Sequence, residues 1–346
     1  MNIHSMIYKD ISALLILKFF AAAITYYVMH FLLSEELFNY YDMADYMHCT
    51  PNEQSNVTNL LYRKFICILG LNYMGSMSSL LAIAIASVLN SIIIACFYFL
   101  LSPFLSRNGQ ILFILFLAFH PYLAVYFPRL YSDIFGLLGI LLISTYVIYD
   151  RKIDFYFILL TMILINLRGA LIPAFFFFGF FYFVEIFRKE KIIDKNSLLL
   201  IVFVIMNFFV YKDFAESFMS FSFFSDDGVM QAVPKETPYF SSQYPYLNPI
   251  LLLGFRESIS NLGFNQLFIA GNSVGYFYLV CSLILVAFHS LGIYGLVNFS
   301  IRTNRLNLLS ALSVIIIPLL AISHLRYLLP LMPILIFGVI WPFFKK

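Results

Sequence analysis

An all-α fold, a polytopic transmembrane helical bundle of about ten spans with two longer extracytoplasmic loops, is what this sequence predicts, and three observations carry the prediction. The 346 residues are 62% hydrophobic and only 11% charged, whereas ordinary globular domains carry roughly 25% charged residues. The apolar residues fall in runs mostly about 15 to 25 long, the length of a helix crossing a hydrocarbon layer roughly 30 Å thick. These runs are bounded by charged or turn-forming clusters, which excludes a soluble fold. No internal repeat is visible, and residues 1–346 read as a single transmembrane domain.

The first apolar run, after "MNIHSMIYKDISALL", has no small-residue cleavage signature and is expected to stay as the first span. The ten spans are expected near residues 12–33, 78–101, 111–127, 133–149, 154–167, 169–186, 197–211, 273–297, 307–322 and 327–343. The fifth is short and forms a tight hairpin with the sixth around "NLRGA".

With the N-terminus in the cytoplasm, the inner connections hold twelve basic residues against six acidic, and the outer ones eight against twelve. Lys9, Arg107, Arg151, Lys152, Arg188, Lys189, Lys191, Lys195, Arg302, Arg305, Lys345 and Lys346 make up the inner set. This bias follows the positive-inside rule and predicts both termini in the cytoplasm. Lys18 falls inside the first span, where a long stem is expected to snorkel toward the cytoplasmic headgroups.

Two outer loops are long, residues 34–77 and 211–272. The first holds "TNLLYRKFICILGLNYMGSMSS", readable as an amphipathic helix in the interface. The second combines a Pro- and Tyr-rich stretch with a half-apolar helix, too aromatic for a disordered linker. Long ordered loops tend to carry function. Cys96 and Cys281 lie in expected spans, and no pair has CxxC spacing. Cys49 and Cys67, near one another in the first outer loop, are either bridged or two unpaired thiols.

The inner loops contain no phosphate-cradling glycine loop, and neither a cytosolic nucleotide site nor a nucleic-acid partner is expected. The unusual polar residues lie at the outer ends of the spans, in four clusters. They are "YYDMADY" with Asp42 and Asp45, "FPRLYSD" with Arg129 and Asp133, "INLRGA" with Asn166 and Arg168, and "SHLRYLLP" with His324 and Arg326. Ionisable groups at membrane depth are costly and point to function; the alternative is anchoring of helix ends to headgroups.

Carboxylates suit base chemistry or hydrogen bonds to sugar hydroxyls, and guanidiniums suit bidentate contact with phosphate oxygens. An acid-rich set meeting an arginine-rich set therefore fits a substrate with a phosphate at the bilayer surface and a hydroxylated head, such as a polyprenyl-phosphate-linked sugar. Asp42 and Asp45, three apart, share a helix face, and Tyr46 stands one turn from Asp42. A solvated helix start is the bland alternative for this pair.

In these features the chain resembles the C-type glycosyltransferase superfamily, polytopic enzymes that use lipid-phosphate sugar donors. "YYDMADYM" is similar to the family's first-loop Asp with a Tyr a few residues on, best matched by Asp42 and Tyr46. "FHPYLAVYFPRLYSDIFGLLGILL" resembles its histidine- or asparagine-proline start leading to a Ser-Asp that opens the next span. "LRYLLPLMPILIFG" resembles its Arg-Tyr, two-proline ending. The similarity spans about a third of the chain, which departs from many members in its shortness, in showing no soluble C-terminal domain, and in lacking a Glu directly after the first-loop Asp.

The resemblance implies an integral-membrane glycosyltransferase of the bacterial inner membrane, working at the extracytoplasmic face in surface polysaccharide or lipopolysaccharide (O-antigen) synthesis. Asp42 or Asp45 would be catalytic, and Arg129, Asp133, Arg168, His324 and Arg326 would bind substrate. Its partners would be a polyprenyl-phosphate-linked sugar donor, a lipid-linked glycan acceptor and membrane lipid. The Asp and Glu ligand set of a magnesium site is absent, so no metal or other cofactor is expected.

A rival resemblance is to O-antigen polymerases, through the Arg-x10-Gly spacing of Arg168 to Gly179 and the large second outer loop. Membrane O-acyltransferases rank third, with His30 after the first run but without the expected Arg. A transporter would place its charges or broken helices nearer the bilayer midplane.

Overall fold

The computed structural model describes residues 3–27, 62, 65, 68, 76–120, 123, 124, 127, 132–190, 194–210, 273–315 and 325–346. Asp42, Asp45, Cys49, Cys67, Arg129 and His324 lie outside the described residues, as does the side chain of Arg326.

The described residues are helical, with no strand among them. Nine α-helices follow in order: α1 (Ile3–Tyr27), α2 (Ser76–Leu101), α3 (Arg107–Phe119), α4 (Asp133–Ile148), α5 (Phe155–Leu167), α6 (Ile172–Glu190), α7 (Lys195–Val210), α8 (Ser273–Arg302) and α9 (Met332–Phe344). Two 3₁₀ segments, Leu306–Ile315 and Leu325–Leu331, precede α9.

The boundaries follow local chemistry. α1 and α2 contain no Gly or Pro, and α2 gives way to a 3₁₀ turn holding Pro103. Asp154 caps α5, its side chain accepting from the Phe157 N–H at 2.8 Å. Asp194 does the same for Ser197 at the start of α7, also at 2.8 Å. The reversals at Asp150 and Asn304 use positive φ of 49° and 54°, which Asp and Asn tolerate better than most side chains.

Three stretches are long and apolar enough to cross a membrane: Ile83–Phe104, Gly169–Glu190 and Ile284–Arg302. The other apolar helices of this set are shorter. At about 1.5 Å per residue, the 13 residues of α3, α5 or α9 reach about 20 Å, and the 16 of α4 or α7 about 24 Å. Both lengths fall below a hydrocarbon thickness of roughly 30 Å.

The described basic connections gather at one end of the bundle. There Arg107, opening α3, bonds Asp10 of α1. Arg305 donates to the Ile148 carbonyl at the end of α4 at 3.3 Å and lies over the Phe104 ring. The C-terminus closes the same end, the Ser106 N–H donating to the Phe344 carbonyl at 2.7 Å. Between the ends runs an aromatic core in which Phe299 of α8 meets Phe337 and Trp341 of α9 with centroids 5.0 and 5.4 Å apart.

The Asp10–Arg107 contact is completed by Tyr98 of α2, whose hydroxyl donates to Asp10 at 2.8 Å. Burial alone raises the Asp10 carboxyl, but hydrogen bonds from Arg107 and Tyr98 and the Arg107 charge outweigh it and hold the group below its ordinary 3.8. A carboxyl lowered on folding adds stability above its unfolded value, and that contribution is lost as pH falls from 3.8 through the lower folded value. Melting midpoints measured against pH are therefore expected to fall more steeply below about pH 4 in the native protein than in Arg107→Gln. Equal slopes would show that the contact stabilises nothing.

Candidate functional site

At the end of the bundle opposite the basic connections, helices stop early and expose backbone groups that something must satisfy. Two polar groups lie at these helix ends.

The first joins the start of α4 to the end of α5. Arg168, the residue that closes α5 in an extended conformation, places Nη2 2.7 Å from Asp133 Oδ1, and its Nη1 donates to Ser132 Oγ at 3.0 Å. The side chains are 5% and 0% exposed. Each charge also suits its helix end, the carboxylate at the positive N-terminus of α4 and the guanidinium at the negative C-terminus of α5.

Two further sequence clusters approach this pair. A Cβ placed on Gly136, one turn into α4, would stand 2.7 Å from Pro330 Cγ and 3.9 Å from Arg168 Cγ. The 3₁₀ segment that carries Arg326 and Pro330 therefore lies directly against the α4–α5 junction. Phe135 packs edge-on against Tyr62 and Phe65 of the first long loop, with centroids 6.0 and 5.6 Å apart. Beside the junction, Asn166 donates to the Met162 carbonyl at 2.8 Å and to Asn207 Oδ1 of α7 at 3.3 Å.

The described residues thus place parts of the second, third and fourth clusters, with Tyr62 and Phe65 of the first outer loop, near one helix junction. Asp133 and Arg168 themselves meet. Gly179 of the Arg-x10-Gly spacing does something different: its Cβ would stand 3.1 Å from Leu200 and 3.2 Å from Ile201, so this glycine lets α6 approach α7.

The second group was hidden from the sequence. Lys18 does not snorkel: it is 0% exposed, and its Nζ donates to the carbonyls of Leu117 and Ala118 at 3.1 and 3.4 Å. α3 breaks there, because His120 takes an extended ψ of 122°, as the residue before a proline prefers. In an unbroken helix Leu117 would accept from residue 121, but that residue is Pro121 and has no N–H. The Lys18 ammonium supplies the missing donor. Its nitrogen also lies 5.5 Å from the centroid of the Phe127 ring.

Beside this break stand two buried imidazoles. His120 Nε2 and His289 Nε2, on α8, are 3.3 Å apart. Asn90 of α2 holds the neighbouring chain by donating to the Phe127 carbonyl at 2.9 Å. His289 had no signal beyond a lone His in an apolar run, and Lys18 could be understood only once the carbonyls of Leu117 and Ala118 at the end of α3 were seen across from it.

Among the described residues no group of three or more His, Cys, Asp or Glu side chains is placed to hold a metal ion. Comparison with known proteins finds no family, no curated protein and no solved structure that matches this chain.

Proposed function

We propose that this protein is an integral-membrane glycosyltransferase that moves a sugar from a polyprenyl-phosphate donor to a lipid-linked glycan at the extracytoplasmic face of a bacterial inner membrane. Its role would be in surface polysaccharide or O-antigen synthesis, with both termini in the cytoplasm. The observation that carries the reading is the buried Arg168–Asp133–Ser132 junction, with the Arg326 segment and the first long loop packed beside it. A membrane protein that sets an oriented guanidinium among these segments, opposite its basic end, has the parts needed to receive a phosphate.

In this mechanism Asp133 and Ser132 hold the Arg168 guanidinium in one orientation. Arg168, with Arg326 and Arg129, neutralises charge building on the departing phosphate. Asp42 takes the proton of the acceptor hydroxyl, Asp45 being its neighbour and substitute, and His324 contributes to substrate binding beside Arg326. One base and a good leaving group suit a single displacement with inversion.

Asp42→Asn, in protein that inserts and folds as the native chain does, is expected to lower transfer by about 10² to 10⁴. Near-native incorporation of the sugar would refute the base assignment. Surface-glycan gels of a deletion strain check the activity class: loss of one sugar or branch with chain length intact is expected. A single-repeat band with long chains missing would indicate a polymerase instead.

The broken α3 with its buried Lys18 favours a second reading, a transporter of lipid-linked glycans, because broken helices and buried ions mark transport sites. Accumulation of complete lipid-linked units on the cytoplasmic side of the deletion strain would select it.

A further inference from the structure

We propose that the basic end of the bundle carries a defined binding site for the headgroup of an anionic phospholipid, built by Arg151, Arg302 and Arg305 with Lys345 and Lys346. The site lies apart from the Arg168–Asp133 junction and does not depend on the proposed transfer.

The inference starts from how the arginines are held. α4 and α8 end in the same backbone motif, a Schellman turn in which an arginine follows the left-handed residue. In α4, Asp150 is left-handed with φ 49°, its N–H donating to the Val147 carbonyl at 3.4 Å and that of Arg151 to the Tyr146 carbonyl at 2.9 Å. In α8, Asn304 with φ 54° donates to the Ile301 carbonyl at 3.2 Å, and the Arg305 N–H to that of Ser300 at 2.7 Å.

The two motifs meet. The Arg305 guanidinium donates to the Ile148 carbonyl in the last turn of α4 at 3.3 Å, and lies 5.2 Å from the centroid of the Phe104 ring. The Arg151 guanidinium lies 5.9 Å from the Tyr149 centroid. Both distances are those of a cation held over an aromatic face. Two arginines that leave fixed turns and rest on rings have less rotamer freedom to lose when they grip an anion.

Further charge gathers at the same place. The Lys346 N–H donates to the Phe104 carbonyl at 3.2 Å and Lys345 pairs with Leu105, so both lysines flank the residue that underlies Arg305. Arg302 stands in the last turn of α8. Apart from half-buried Arg305 these cations are exposed, and among the described residues none of the five has a carboxylate within ion-pair distance.

Neighbouring acids are engaged elsewhere. Asp154 accepts from the Tyr146 hydroxyl at 2.9 Å and the Phe157 N–H at 2.8 Å, and Glu185 accepts from Lys189 and Asn307. Asp150 is the carboxylate of the α4 turn itself, against five cations. Arg305 gives one of its five N–H donors to Ile148, and a guanidinium matches phosphate oxygens bidentately.

Depth and an apolar face select a lipid as the occupant. Two of the three stretches long and apolar enough to cross a membrane end here, at Phe104 and at Arg302, which sets the cations at the level of headgroups. On α8, Ile284, Leu291, Tyr294 and Ile301 are each more than half exposed, and their spacing puts them on one side of the helix, leading to Arg302. A phospholipid offers acyl chain to that side and phosphate to the guanidiniums, whereas free phosphate would use only the second. Basic sites between membrane helices recognise acidic headgroups in this way.

The test titrates the full chain in detergent with phosphatidylglycerol, or with phosphatidylcholine of the same acyl chains, and reads retained lipid by native mass spectrometry and the shift in melting midpoint. Phosphatidylglycerol is expected to bind about tenfold or more the tighter of the two. Arg151→Gln and Arg305→Gln should each weaken it about fivefold, the loss of one cation beside an anionic headgroup. Arg188→Gln and Lys195→Gln, which remove exposed cations of α6 and α7, should leave it unchanged.

If Arg305→Gln fails to fold for want of its bond to Ile148, Arg151→Gln and Lys346→Gln decide. Equal binding of the two lipids overturns the site and leaves Arg305 as a cap for α4. Equal weakening by the α6 and α7 variants overturns it too, since the attraction would then belong to the net charge of the whole end. A melting midpoint raised by inorganic phosphate in the native chain but not in Arg151→Gln would replace the lipid with a free anion.

Discussion

Gly295→Val and Gly338→Val are expected to prevent α8 and α9 from packing and to leave a chain that aggregates or is degraded. The reason is the separation of the two backbones. A Cβ on Gly295 would fall 1.8 Å from the Gly338 carbonyl oxygen, one on Gly338 2.1 Å from that of Gly292, and one on Gly292 2.6 Å from that of Leu335. In each case the obstacle is backbone, so no rotamer change relieves it. The helices would have to part along their whole contact.

Close approach through small residues is how membrane helices gain packing where lipid offers no hydrophobic drive. Parting them also loosens Phe299 from Phe337 and Trp341 and the C-terminal closure at Phe344. Overpacking typically costs about 1–3 kcal/mol, and a collision with backbone belongs at or above the top of that range. Gly169→Ala is the control, because nothing lies within 4 Å of a Cβ added there. Melting midpoints in detergent and the monodisperse fraction on size exclusion give the readout. Native-like Gly295→Val would show that the two helices do not meet through these glycines.

What the sequence made legible was local. Apolar runs without Gly or Pro became α1 and α2, and the runs expected near 154–167 and 197–211 became α5 and α7, where Asp154 and Asp194 turn out to cap the helix starts. Asp133 and Arg168 stood out because each is a charge where an apolar run begins or ends, and the structure sets them together. What stayed hidden depended on distant partners. The fate of Lys18 is decided at the end of α3, where Leu117 and Ala118, 99 and 100 residues away, offer the carbonyls that the ammonium fills. Gly295 looked like one of several scattered glycines until Gly338 faced it. Length misled in a different way at α3, where the run expected to span 111–127 includes a helix end and the α-helix is Arg107–Phe119; the short fifth span, expected at 154–167, is α5, Phe155–Leu167.

Burial makes the Arg168–Asp133 pair a sensitive electrostatic element of the described bundle, its side chains being 5% and 0% exposed. Arg168→Met and Asp133→Asn are each expected to lower stability by about 3–5 kcal/mol, the usual cost of stranding one member of a buried pair. The two single variants should be about equally damaging, because each leaves its remaining charge at a helix end that favours it, the guanidinium at the end of α5 and the carboxylate at the start of α4.

The double variant separates scaffold from function. Replacing both charges with neutral groups of similar size removes the stranded ion, and buried pairs exchanged in this way are often neutral in stability. Asp133→Asn with Arg168→Met is therefore expected to melt within about 1 kcal/mol of the native chain, a coupling that a double-mutant cycle reads directly. If the guanidinium holds phosphate in the reaction, sugar transfer stays lost in that stable double variant. Recovery of transfer together with stability would make the pair a purely structural tie between α4 and α5, and would move the phosphate-binding role to Arg326 and Arg129.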